Sequence, residues 1–104
     1  DCYVEVKNVT LCENGKGMFP DAVSLRATKH LRELMEMRKS GYRSVIFFCI
    51  QRQDVNTMAA AAHVDPDYAV NLQRAKKMGV EMLAYRASPN PDVIELDKKI
   101  LVKV

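Results

Sequence analysis

The chain lacks the cysteines of a disulfide framework. It has three, Cys2, Cys12 and Cys49, an odd number without paired spacing. They and the two histidines lack zinc-ligand spacing, and a reducing, cytoplasmic setting is the expectation. Long apolar runs are missing too. The longest, Val45 to Ile50, has six residues, against the ~20 needed to span a bilayer. No N-terminal stretch reads as a signal peptide. There is no glycine-rich phosphate loop, no serine-centred elbow and no Cys-His pair with an orienting third group. No internal repeat or linker is visible. The charge surplus is small: 16 Lys plus Arg against 13 Asp plus Glu, a net +3. That permits a polyanionic partner without arguing strongly for one.

What is present is an ordinary globular balance, 48% hydrophobic and 28% charged over 104 residues. One domain, 1–104, is expected. Asp1 in place of Met suggests a piece of something longer.

Residues 2 to 11 alternate. Cys2, Val4 and Val6 share one face, and Tyr3, Glu5 and Lys7 the other, continued by Val9 and Leu11. "ENGKG" at 13–17 predicts a turn, and "FPDA" at 19–22 a corner held by Pro20. Ser24 is a candidate N-cap for a helix running to Gly41. Its buried stripe is Ala27, Leu31, Leu34, Met35 and Arg38. Arg26, His30, Glu33 and Met37 form a neighbouring stripe. "RSVIFFCIQR" at 43–52 predicts a strand buried on both faces, with Cys49 as a small buried hydrophobe. Residues 53–64 read as a loop with solvated His63. Asp65-Pro66 opens a second helix with a face of Tyr68, Ala69, Leu72, Ala75 and Lys76, ended by Gly79. "VEMLAYRA" at 80–87 is a strand, "SPNPD" a turn, and "VIELDKKILVKV" a terminal strand or hairpin. Helices between strands imply βαβ units and an α/β fold.

Four candidate sites stand out. Glu5 and Lys7, two apart on a strand, point the same way. Such a pair is either a surface ion pair or half of a site where a carboxylate holds a divalent cation while an ammonium meets water or phosphate. Asp21 is either a second carboxylate at that site or turn chemistry. Arg26, His30 and Glu33 on one helix face are either a phosphate site or a solvated face. Gln51 and Arg52 follow the central strand, where open α/β sheets bind ligands; Gln orients water and Arg clamps phosphate. These groups are expected to converge in one concave pocket.

"VEVKNVTL", "FPDAVS" followed by Arg26, "KHLRELMEM", "GYRSVIFFCIQR", "HVDPDYAVNL" and "GVEMLAYRA" occur in this order. Together they resemble the C-terminal domain of the sugar fermentation stimulation protein family. The resemblance implies a mixed central sheet flanked by helices, similar to the PD-(D/E)xK nucleases, following an upstream OB-like domain that this chain lacks. It also implies sequence-tolerant DNA binding, a link to sugar metabolism, and no membrane. Carried over residue by residue, Glu5, Lys7 and Gln51 are catalytic, and Arg26, His30 and Arg52 contact phosphate. Glu5 and Asp21 hold Mg or Mn, with a further Asp upstream of residue 1. The chain departs from the family where it has Ser24 and Arg26-Ala27 in place of Thr and Arg-Gly, and where alanines fill 59–62. Nuclease-like folds also occur without activity. The functions in play are DNA binding, metal-dependent phosphodiester hydrolysis, and an interaction domain with a vestigial polar cluster.

Overall fold

The computed structural model describes residues 1–88 and 96–104. Its elements are β1 (Cys2–Val9), β2 (Leu11–Glu13), β3 (Lys16–Phe19), α1 (Leu25–Lys39), β4 (Arg43–Ile50), β5 (Thr57–Ala60), α2 (Pro66–Lys77), β6 (Glu81–Ala87) and β7 (Leu96–Lys103). The strands form one curled mixed sheet in the order β1-β4-β6-β7-β5-β3-β2. β4 runs parallel to both β1 and β6, β5 runs parallel to β3 and β7, and the β2/β3 and β6/β7 pairs are antiparallel.

Both helices begin where their caps dictate. The Ser24 hydroxyl accepts from the Ala27 N–H, and the Asp65 carboxylate from that of Tyr68. Pro66 takes the first helical position of α2. Ala27, Leu31, Leu34 and Met35 of α1 are buried, with Tyr68, Leu72 and Ala75 of α2. They cover the inner sheet face at Val9, Ile46, Phe48, Ile50, Ala84 and Ile100. Full burial of a side chain such as Leu31, Ile46 or Phe48 contributes roughly 1.5–3 kcal/mol. Arg38 and Lys76, placed on buried stripes by periodicity, are exposed. Arg38 instead lies over Gly79, where a Cβ would meet its Nε at 2.8 Å.

Three strands, β2, β3 and β5, escape the sequence reading. The "ENGKG" turn is tighter than expected: Asn14 and Gly15 at φ 51 and 78 close a β2/β3 hairpin. β5 sits in the expected loop, its "TMAA" hidden by the low strand preference of alanine. Part of the "SPNPD" turn and the start of the last segment lie outside the described residues. The central strand is also less enclosed than expected. On its outer face Phe47 and Cys49 are only partly buried, and Phe47 stacks on Tyr85 with centroids 5.7 Å apart. No helix among the described residues is long and apolar enough to cross a membrane.

Candidate functional site

β1 turns the usual amphipathic rule around. Its alternation holds, but the apolar residues face outward: Val4 and Val6 are 54% and 56% exposed. The register pairs Glu5 with Ile46, Lys7 with Phe48 and Val9 with Ile50, so Glu5 and Lys7 point inward with the core residues. A charge in that position needs a partner, and α1 brings one. Lys7 Nζ lies 2.7 Å from Nδ1 of His30 and 3.3 Å from Oε1 of Glu5, and the same Oε1 is 3.1 Å from Nδ1. The Lys7 side chain is only 13% exposed.

Beside this cluster a cleft of about 220 Å³ runs between β1 and α1, lined by Tyr3, Val4, Glu5, His30, Glu33, Leu34 and Met37. β1 ends the strand order, so the cleft follows a sheet edge that is unpaired among the described residues. The Arg26 stripe therefore divides. His30, Glu33 and Met37 reach the cleft, whereas Arg26 is exposed in the first turn of α1.

Not all the expected groups converge. Gln51 donates from Nε2 to Asn8 Oδ1 at 3.2 Å and lies 3.3 Å from Cys49 Sγ. Asn8 and Cys49 are register partners on the outer face, so the Gln51 amide lies across the sheet from Glu5. The reason is strand alternation: Phe47, Cys49 and Gln51 follow one another at period two. Arg52 is committed to Asp54 by two bonds of 2.9 and 2.7 Å. That pairing holds the Asp54 carboxyl below its usual range. Asp21 is exposed beyond cis Pro20 and makes no bond to the cluster among the described residues. Of the expected groups, Glu5, Lys7 and His30 meet in one cluster, and Glu33 lines the cleft beside it.

Nor do these residues by themselves fit a divalent cation. No group of three or more His, Cys, Asp or Glu among the described residues is arranged to hold a metal ion. Glu5 is the one carboxylate of the cluster, and Lys7 already neutralises it.

One residue was read in the sequence only as part of the α2 face. Tyr68 of α2 is fully buried, its ring edge-on to Phe19 at 5.3 Å. Burial, then the Asp65 and Glu5 carboxylates, push its hydroxyl up from the ordinary tyrosine value. Aromatic residues at helical spacing read as core, and nothing in the sequence shows that its hydroxyl feels the Glu5 charge.

Comparison with known proteins follows the same lines. A sugar fermentation stimulation protein homolog of Shewanella sp. strain MR-4 is 53% identical over 103 residues, covering 99% of this chain and 44% of the relative. The homolog of Shewanella baltica is 52% identical with the same coverage. The chain therefore spans less than half the length of these relatives. Among solved structures, that of Pyrococcus furiosus SfsA in complex with Ca2+ superposes with a TM-score of 0.92 at 28% identity, over 99% of this chain and 45% of that one. The family model described as the sugar fermentation stimulation protein RE domain matches residues 1–93, and the chain belongs to the sugar fermentation stimulation protein family.

Proposed function

We propose that this chain is a sequence-tolerant DNA-binding domain on a nuclease-like sheet, engaging phosphodiester groups at the Glu5–Lys7–His30 cluster. The observation that carries the reading is that convergence: a mostly buried ammonium, an imidazole and a carboxylate within 3.3 Å of one another beside an open cleft. A buried ammonium is costly to hold unless paired, and a bound phosphate oxygen would compete with Glu5 for it. Exposed Arg26 and Lys29 of α1 add positive charge nearby in sequence. The net +3 supports electrostatic attraction without base readout. A role in sugar metabolism rests on the family name alone.

The test is fluorescence anisotropy of the full-length protein with two unrelated duplexes. Both should bind alike, with affinity falling steeply between about 50 mM and about 200 mM salt. Lys7→Ala should weaken both and reduce the salt slope by about one. Affinity indifferent to salt would sink the reading.

A second reading is metal-assisted phosphodiester hydrolysis. It is favoured by the Pyrococcus furiosus protein having been solved as a complex with Ca2+ and by the Glu-x-Lys pair itself. This chain brings one carboxylate to the cluster, so further ligands for Mg or Mn would come from the remaining length of the relatives. Calorimetric titration of the full-length protein with Mn decides it. No heat of binding, or binding unaltered by Glu5→Gln, would discard it.

A further inference from the structure

The sheet has a second face that the helices leave alone. The buried stripes of α1 and α2 both pack on the inner side, and among the described residues no helix lies on the other. Alternation and register put Val4, Val6, Phe47, Leu83 and Tyr85 on that outer side, with Val6 paired to Phe47 and Phe47 to Leu83. Leu101, next to inward Ile100 on β7, joins them. Val4, Val6 and Leu101 are 54%, 56% and 64% exposed, and Phe47 and Tyr85 stand stacked and half-buried. A crevice of about 440 Å³ between β6 and β7 opens beside Leu83 and Leu101. β1 and β6 both run parallel to β4, and parallel sheets are found with both faces covered. A contiguous exposed apolar patch marks a contact surface.

We infer that in the full-length protein this outer face is covered by the polypeptide outside the matched stretch, packed in the same molecule. The relatives supply the material: the stretch covers 44% of their length, so more than half of each lies outside it. Charge argues against a nucleic-acid occupant. A polyanion site needs cations, and the row of Val6, Phe47 and Leu83 with Tyr85 carries none. Arg43, at the margin of the face, is already bound to Glu81 through Nε and Nη2. Gln51, bonded to Asn8 and Cys49, forms a polar border of the kind that rims protein contacts. The cluster of Glu5, Lys7 and His30 lies on the opposite side of the sheet, so a cover here leaves it open.

The experiment labels cysteine variants of the full-length protein with N-ethylmaleimide. Each site is read by peptide mass spectrometry and its rate divided by that in the urea-unfolded protein. Val6→Cys and Leu101→Cys probe the face, and Val70→Cys on α2 is the control. Without a cover the probes should react at least as fast as the control, being 56% and 64% exposed against 47%. With the cover, both should react about tenfold or more slowly, since thiol chemistry follows access. That protection should persist on dilution from about 100 µM to about 1 µM protein, as contact within one molecule does not follow mass action. Rates equal to the control overturn the inference. Protection lost on dilution assigns the face to a second copy, and protection that appears only with added DNA assigns it to nucleic acid. Protection at one probe alone means a cover narrower than the face. Each of these overturns it as well.

Discussion

Nζ of Lys7 sits 2.7 Å from Nδ1 of His30, a nitrogen that also lies 3.1 Å from Oε1 of Glu5. Nδ1 cannot serve both neighbours at once. A protonated lysine donates, so Nδ1 must accept from it, and the imidazole proton then belongs on Nε2. The contact between Nδ1 and Oε1 becomes two acceptors held together by the ammonium that faces both. Lys7→Met removes that donor and frees Nδ1 to take a proton and donate to Glu5. Nitrogen-15 NMR of His30 should report an unprotonated Nδ1 in the wild type and a protonated one in Lys7→Met. A wild-type proton on Nδ1 would contradict the arrangement.

Charge pairing in the cluster should appear as coupling. Lys7 is 13% exposed and Glu5 34%, so water screens the pair on the glutamate side. Glu5→Gln keeps the shape and leaves the ammonium with the imidazole alone. The expected loss is about 1 kcal/mol in urea unfolding, below the cost of breaking a fully buried pair. A double-mutant cycle with Lys7→Met should give a coupling energy of about 1 kcal/mol. Additivity within about 0.3 kcal/mol would mean the two charges do not support each other.

The pair was legible in the sequence because strand alternation puts residues 5 and 7 on one face whatever the fold. Which face that is was not legible. Val4 and Val6 suggest an apolar face turned inward, and only the position of β1 at the sheet edge leaves them outside. Ser24 and Asp65 announced both helices through capping chemistry, which is local. Gln51 misled because the end of a strand is predictable while the parity of its last side chain depends on register. Tyr68 was legible as core because its ring obeys the helical stripe, whereas the influence of Glu5 and Asp65 on its hydroxyl was not, since one carboxylate comes from β1 and the other from its own cap.

Among the described residues β1 has no strand beyond it, and that edge carries its own consequence. Eight residues end the strand order, with Tyr3, Val4 and Val6 41%, 54% and 56% exposed. Natural edges are blunted by outward charge or proline. Here the one lysine of the strand points inward. The 104-residue chain should self-associate with rising concentration in analytical ultracentrifugation, and Val6→Lys should suppress this while leaving the melting temperature near wild type. A monomer at millimolar concentration would show that the edge is already protected.

Alkaline stability isolates Tyr68. Burial chiefly, with Asp65 and Glu5, raises its ionisation above the ordinary value. A group with a raised folded-state value keeps its full contribution below the unfolded-state value, here about pH 10, and loses it as pH climbs further. Each such proton adds a slope of about 1.4 kcal/mol per pH unit. Urea midpoints above pH 10 should therefore fall more steeply for wild type than for Tyr68→Phe. Parallel curves would mean that the hydroxyl is solvated and ionises freely in the folded protein.

Asp65 sets the frame in which the cluster is held. Its carboxylate is 3% exposed, accepting from the Ser24 N–H through Oδ2 at 2.9 Å and from the Tyr68 N–H through Oδ1 at 3.1 Å. One side chain thus ties the start of α2 to the cap of α1, the helix that carries His30. Asp65→Ala removes both acceptors and should cost about 3 kcal/mol, a capping loss plus an unpaired buried N–H. Asp65→Asn keeps one acceptor and turns an amide N–H toward the other donor, so it should cost about half as much. If asparagine matches aspartate, the second bond contributes nothing. If asparagine is as damaging as alanine, the negative charge facing two helix N-termini matters more than the bonds.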